Sequence, residues 1–124
     1  MEQDQRKKIL YIEDEEALGK TYQDFLNNAG FTTEWVTSVP AAEELAVTFQ
    51  PDLLLIDNGL KEGKDGIEAI PDLKKFFPQA KIIIVSNYPE QAKKDQAKKL
   101  GADDYWYKLD ISLKDLKTKV SNVI

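Results

Sequence analysis

Side chains that can do chemistry stand directly after four short apolar or aromatic runs of this 124-residue sequence. Glu13 and Asp14 follow one run, Asp57 follows the next, Ser86 follows a third and Lys108 follows the last. Ligands of parallel sheets bind beyond the carboxyl ends of the strands. If these runs are neighbouring strands of one sheet, we expect three carboxylates, a hydroxyl and an ammonium group to share one shallow pocket.

Such a set of groups favours one kind of chemistry. Three clustered carboxylates repel one another, and their pKa values rise unless a cation neutralises them. Oxygen ligands without histidine or cysteine favour a hard cation, and Mg²⁺ suits them best. A bound cation polarises an incoming phosphoryl group, and a carboxylate can attack phosphorus to form an acyl phosphate. The lysine and the hydroxyl would then hold the phosphoryl oxygens.

Each of these residues also has an ordinary structural explanation when it is considered alone. The acidic segment Asp14–Glu16 is typical of a helix start, where carboxylates favour the helix dipole. The segment 57–59, Asp-Asn-Gly, is typical of a tight turn. Ser86 can be a strand-end hydroxyl, and Lys108 can be a solvated charge. These explanations lose force together, because four separate runs end in complementary chemical groups.

The elements that must position these groups follow from the alternation of apolar runs with amphipathic stretches. We predict five strands, over residues 9–12, 31–36, 53–56, 81–86 and 104–107. Helical spacing of apolar residues predicts five helices, within residues 18–29, 42–49, 67–77, 89–100 and 113–123. Strands that alternate with helices predict an α/β fold, with a parallel sheet covered on both faces in a doubly wound (βα)5 sandwich of three layers. The runs Leu53–Ile56 and Ile82–Val85 have no polar face, and we expect them at the centre of the sheet.

Glycine and proline mark the expected helix ends. Gly30 follows the first helix, and Pro51 ends the second. Pro71 either kinks the third helix or begins its regular part. The lysine-rich fourth helix carries only a thin apolar stripe, at Ala92, Ala97 and Leu100. Its four lysines form either a solvated face or a surface for an acidic partner.

Composition excludes several other functions. The chain has 17 basic and 22 acidic residues, a net charge of −5 and a pI near 4.8, which disfavours binding to nucleic acid. It has no cysteine and no histidine, which excludes disulfides, thiolate metal sites and Ser-His catalysis. Its apolar runs are too short to cross a bilayer, and its polar N-terminus has no signal-peptide core. We therefore expect one cytoplasmic domain over residues 1–124, with no membrane partner.

The residues at the four strand ends resemble a known family. The segments ILYIEDE (9–15), PDLLLID (51–57), IIIVS (82–86) and GADDYWYK (101–108) occur in the order and spacing of the receiver domain of two-component response regulators. The resemblance covers nearly all of the chain. It implies a flavodoxin-like fold with sheet order 2-1-3-4-5.

The resemblance also implies a role for each acidic residue. Asp57 would accept a phosphoryl group. Asp14 and Asp57 would bind Mg²⁺ directly, Glu13 would bind it through water, and the carbonyl of Gly59 would be a further metal ligand. The phosphoryl donor would be a phosphohistidine on a histidine kinase or a histidine phosphotransfer protein, which agrees with the absence of histidine in this chain.

The remaining roles that the resemblance implies concern switching. Ser86 and Lys108 would contact the phosphoryl oxygens, and the rotamer of Tyr105 would follow the movement of Ser86. Considered alone, Tyr105 lies in an aromatic strand segment and is more typical of packing. The chain would be a signalling domain that promotes only its own phosphorylation and dephosphorylation, and its downstream effector is unknown.

Some positions depart from the family pattern. Lys61 and Leu109 stand where proline is common, and the family's proline after the lysine normally has a cis bond. Asn87 replaces a small residue, and bulky Tyr88 lies near the expected path of the attacking water. These departures leave open an alternative, a non-switching interaction module with the receiver fold. A small enzyme acting on phosphate esters is disfavoured, because the chain has neither GxGxxG nor GxxxxGK[ST].

Overall fold

A computed structural model of the chain describes residues 6–60 and 65–124. Lys61, one of the predicted departures, lies outside the described residues. Five parallel strands form one sheet in the order β2-β1-β3-β4-β5. The strands are β1 (Lys8–Ile12), β2 (Thr32–Val36), β3 (Leu53–Asp57), β4 (Lys81–Ser86) and β5 (Asp104–Tyr107). The predicted fold class and strand order are confirmed.

Within the described part of the chain, five α-helices connect and cover the strands. They are α1 (Glu16–Asn28), α2 (Val39–Leu45), α3 (Ile70–Phe76), α4 (Gln91–Leu100) and α5 (Leu113–Val123). A 3₁₀ turn, Lys108–Asp110, lies between β5 and α5. The described helices alternate with the strands, as the sequence pattern predicts.

The sheet separates two hydrophobic layers. Alternate side chains of a strand point to opposite faces, so Leu10 and Ile12 pack with α2, α3 and α4. Ile9 and Tyr11 pack on the other face with α1 and α5. All residues of β3 are buried, and β3 is the central strand, which confirms the central position expected for that run.

The ends of the helices differ in detail from the predictions. Gly30 follows α1 at a φ of 105°, and Gly101 ends α4 at a φ of 116°, both of which glycine adopts without steric cost. The α2 helix ends at Leu45, before the predicted end at Phe49. Pro71 is in the first turn of α3, where its missing N–H costs nothing, so the helix begins there and is not kinked.

The apolar stripe predicted for α4 is wrong at one position. Ala97 is buried and Leu100 is half-buried, but Ala92 is exposed. Lys93 and Lys94 are half-buried in its place, because long lysine stems can cover apolar surface while their ammonium groups stay in water.

The register of the sheet brings the carboxyl ends of the strands to one edge. Ile12 pairs with Ile56 across β1 and β3, and Asp57 pairs with Val85 across β3 and β4. Ser86 pairs with Tyr107 across β4 and β5. Residues that follow these positions therefore face a common groove, as the sequence predicts.

Candidate functional site

Three carboxylates meet at this edge of the sheet. Glu13 and Asp14 follow β1 directly, and Asp57 is the last residue of β3. Each offers a carboxylate oxygen within 4.8 Å of the others. Glu13 and Asp57 are buried, and Asp14 is half-buried. The acidic cluster expected from the sequence is therefore assembled by two adjacent strands.

Lys108 reaches into this cluster from the 3₁₀ turn that follows β5. Its Nζ donates to Glu13 Oε1 at 2.7 Å and to Asp57 Oδ1 at 3.1 Å. The Lys108 side chain is itself buried. The sequence left the isomer of the bond to Leu109 open; this bond is trans, like all peptide bonds of the described residues. Lys108 begins the 3₁₀ turn, and its ammonium group reaches both carboxylates with this bond in the trans form.

Two aromatic residues that sequence reasoning missed hold Glu13 in place. The Tyr11 hydroxyl donates to Glu13 Oε1 at 2.8 Å, and the Trp35 indole Nε1 donates to the Glu13 carbonyl oxygen at 2.8 Å. The backbone N–H of Glu15 donates to Glu13 Oε2 at 3.3 Å. A signal for Tyr11 exists in the sequence, because residues two apart in a strand share a face.

Burial and neighbouring charges shape the protonation of the cluster. Burial and the Glu13 carboxylate raise the pKa of Asp57 to about 6, against a lowering effect of Lys108. Burial would also raise the pKa of Glu13, but hydrogen bonds from Lys108 and Tyr11 outweigh burial and lower it. Burial would lower the pKa of Lys108, but its bonds to the two carboxylates raise it. Burial and Glu13 raise the pKa of Tyr11 far above its usual range, so its hydroxyl remains a donor.

Ser86 and Tyr105 meet at the backbone of Tyr88. Ser86 Oγ accepts from the Tyr88 N–H at 3.1 Å and donates to the Tyr88 carbonyl at 3.2 Å. The Tyr105 hydroxyl donates to the same carbonyl at 3.2 Å. Ser86 and Tyr105 are both buried. A movement of the Ser86 hydroxyl would thus change the environment of the oxygen that Tyr105 binds.

Two open cavities adjoin Asp57. The larger measures about 440 Å³ and is lined by Glu13, Asp14, Glu15, Asp57, Gly59, Asn87 and Lys108. The smaller measures about 130 Å³ and is lined by Asp57, Asn58, Gly59, Ser86, Asn87, Tyr88 and Lys93. Tyr88 lines the smaller cavity but is 66% exposed, and Leu109, which is 74% exposed, lines neither cavity. Neither departure closes the space beside Asp57.

The donor set fits a hard divalent cation. The three carboxylates supply oxygen ligands, and Gly59 lines the same cavity. Mg²⁺ prefers a few carboxylates together with water, and the cavity has room for water. The candidate metal residues predicted from the sequence are therefore brought together in one place.

Comparison with known protein families identifies the class of domain that has this fold and this arrangement of groups. Residues 9–121 match the response regulator receiver domain. The chain belongs to this family, whose members are receiver domains of two-component systems and in which phosphorylation and a Mg²⁺ site are typical. This confirms the family that the four sequence segments indicate.

Named relatives agree with the family. The KDP operon transcriptional regulatory protein KdpE of Escherichia coli is 34% identical over 97 residues, which are 78% of this chain and 42% of KdpE. The chemotaxis protein CheY of Thermotoga maritima is 31% identical over 100 residues, which are 80% of this chain and 82% of CheY. The chain thus spans less than half the length of KdpE and most of the length of CheY.

Solved structures agree with the fold. A two-component response regulator from Clostridium difficile superposes with a TM-score of 0.86 at 22% identity, covering 95% of each chain. A CheY-like receiver domain protein from Methanospirillum hungatei superposes with a TM-score of 0.85 at 24% identity, covering 94% of this chain and 92% of that one. Among the described residues, no helix is both long enough and apolar enough to span a membrane.

Proposed function

We propose that the chain accepts a phosphoryl group on Asp57 from a phosphohistidine, with Mg²⁺ bound beside it, and acts as a phosphorylation-dependent switch. The donor is a histidine kinase or a histidine phosphotransfer protein. One observation carries the proposal: the Asp57 carboxylate faces an open cavity between Lys108 and the carboxylates of Glu13 and Asp14. Family membership supports the same chemistry.

The transfer is a displacement at phosphorus. An Asp57 carboxylate oxygen attacks the phosphorus and forms the new P–O bond, while the P–N bond to the donor imidazole breaks and its electron pair stays on the ring nitrogen. Lys108 and Ser86 hold phosphoryl oxygens and stabilise the charge that develops there. Asp14, Asp57 and the Gly59 carbonyl would hold Mg²⁺ directly, with Glu13 acting through water. The bound cation supplies charge neutralisation at the phosphoryl group.

The switch follows from the hydrogen bonds of Ser86. To reach a phosphoryl group on Asp57, the Ser86 hydroxyl must leave the Tyr88 backbone. The Tyr88 carbonyl then loses one of its two hydroxyl donors and keeps Tyr105. Phosphorylation therefore biases the position of the loop between β4 and α4, and Tyr105 follows it. Hydrolysis of the acyl phosphate at the same site returns the domain to its resting state.

The proposal treats residues 1–124 as one receiver domain that works in the cytoplasm, where phosphohistidine donors act. The relatives KdpE and PhoP are named transcriptional regulators, and this chain spans 42% and 48% of them. Its downstream effector is therefore left undefined. The net charge of −5 disfavours direct contact of this domain with nucleic acid.

The test is the intact mass of the protein after incubation with Mg²⁺ and acetyl phosphate. We expect a gain of one phosphoryl group that disappears with a chelator and in Asp57→Ala. Asp24→Ala serves as the matched control, because Asp24 is an exposed aspartate on α1. Labelling that persists in Asp57→Ala would reject the acceptor assignment. A folded wild-type protein that gains no mass would favour the non-switching interaction module instead.

A further inference from the structure

The Glu13 carboxylate shares one oxygen between two donors. Tyr11 Oη and Lys108 Nζ both donate to Glu13 Oε1, at 2.8 Å and 2.7 Å. Glu13 is 1% exposed and Tyr11 is fully buried. A buried carboxylate that loses its charged partner is strongly destabilised. The Tyr11 hydroxyl therefore becomes more important to the Glu13 carboxylate when Lys108 moves away from it.

Acceptance of a phosphoryl group would change the position of Lys108. Its Nζ lies closer to Glu13 Oε1, at 2.7 Å, than to Asp57 Oδ1, at 3.1 Å. A phosphoryl group on Asp57 adds negative charge at the Asp57 side, and it draws the ammonium group away from Glu13. Glu13 then keeps the Tyr11 hydroxyl and the Glu15 N–H as donors.

We propose that Tyr11 is a positioning residue of the phosphoacceptor site, whose hydroxyl holds the Glu13 carboxylate when Lys108 turns toward the phosphoryl group. This inference rests on the proposed function of Asp57. Without the Tyr11 hydroxyl, the Glu13 carboxylate would depend more on its ion pair with Lys108. The Lys108 ammonium group would then be less available to the phosphoryl oxygens. Tyr11 thus acts through Glu13 and Lys108 and does not itself touch the phosphoryl group.

The ring of Tyr11 also has a packing role that the test must separate from its hydroxyl. Tyr11 stacks on Tyr22, with ring centroids 5.2 Å apart and an interplanar angle of 14°. Tyr11→Phe keeps the ring and removes only the hydroxyl. Tyr22→Phe removes a hydroxyl from the stacked partner and serves as the matched control.

The experiment measures phosphorylation by acetyl phosphate at saturating Mg²⁺. We expect Tyr11→Phe to lower the maximal rate constant by about tenfold, as for loss of one hydrogen bond to a charged group, with the KM for the donor unchanged. Tyr22→Phe should stay within twofold of wild type. In a Glu13→Gln background, the effect of Tyr11→Phe should largely vanish, since the acceptor charge is gone.

A second readout uses the metal-free, unphosphorylated protein. We expect the NMR signal of the Lys108 ammonium group to shift in Tyr11→Phe and to stay in place in Tyr22→Phe. Three results would each overturn the inference: equal rates for Tyr11→Phe and Tyr22→Phe, an equal loss of rate from Tyr11→Phe in the Glu13→Gln background, or an unchanged Lys108 signal in Tyr11→Phe. In each of these cases, labelling of the wild type would still support the proposed function. A wild type that gains no phosphoryl group would overturn both.

Discussion

Asp57 carries a negative charge at the end of a strand that is buried along its whole length. Burial and the Glu13 carboxylate both disfavour this charge, and Lys108 offsets only part of the cost, which is why the pKa of Asp57 rises to about 6 from an ordinary 3.8. A nucleophile held in this way is poorly solvated and gains much from a cation or a phosphoryl group beside it. At the residue scale, the buried charge of Asp57 lowers the stability of the fold and makes its carboxylate more reactive toward a phosphoryl group.

The cost of burying the Asp57 charge predicts how the stability of the fold depends on pH. A carboxyl whose pKa is raised on folding binds more protons in the folded than in the unfolded state. The stability of the fold therefore falls as the pH rises from the ordinary pKa of 3.8 through about 6, and the full loss is present above that pH. We expect Asp57→Asn to raise the free energy of unfolding by about 1–3 kcal/mol at pH 7.5 in chelator. The gain should shrink by roughly half at pH 5, because the wild-type carboxyl is then protonated in the fold.

Urea unfolding at the two pH values measures this effect. Asp95→Asn, which changes an exposed carboxylate on α4, serves as the control and should alter stability by less than about 0.5 kcal/mol. A loss of stability in Asp57→Asn at pH 7.5 would mean that the ion pair with Lys108 outweighs the cost of burying the Asp57 charge.

At the scale of elements, contact between α1 and β2 sets the position of the acidic loop. Gly19 on α1 lies against the Trp35 indole of β2, and a Cβ atom at residue 19 would overlap the indole ring. The indole in turn donates to the Glu13 carbonyl. The absence of a side chain at Gly19 therefore allows a hydrogen bond that holds Glu13 at the end of β1.

We expect Gly19→Ala to displace the Trp35 indole and to destabilise the fold, as overpacking in a core costs about 1–3 kcal/mol. Helix propensity alone would favour alanine by about 1 kcal/mol, so a net loss identifies the clash. Tryptophan fluorescence and thermal unfolding measure the displacement and its cost. The control is Thr21→Ala on the exposed side of α1. A Gly19→Ala protein with wild-type fluorescence and higher stability would show that the indole is not confined there.

The elements also show what the sequence can predict. Apolar runs and the groups after them are local features, so the strands and the convergence of Asp57 with Lys108 could be predicted. The contact of Trp35 with Glu13 could not be predicted, because Trp35 reaches Glu13 only through the pairing of β1 with β2. Ala92 was misplaced because helical spacing does not reveal which flank of α4 meets the sheet. The roles of the site residues stay predictions.

At the scale of the whole molecule, the site joins three parts of the sheet. Its groups come from β1, from β3 and from the turn after β5, so the cluster exists only when the sheet is complete. A cation that binds these groups binds the folded state and not the unfolded chain. Metal binding and folding are therefore coupled.

This coupling predicts that Mg²⁺ stabilises the wild-type protein. At a free concentration ten times its dissociation constant, Mg²⁺ should add about 1.4 kcal/mol to the free energy of unfolding, a rise in Tm of roughly 3–6 °C for a chain of this size. Asp57→Asn should lose most of this rise, because one of the three carboxylates is gone. NaCl at matched ionic strength is the necessary comparison, since salt also screens the net charge of −5. An equal rise in Tm with NaCl, or an equal rise in Asp57→Asn, would mean that Mg²⁺ acts by general screening and does not bind in the pocket. Lys108 would then be the positive charge that faces Asp57.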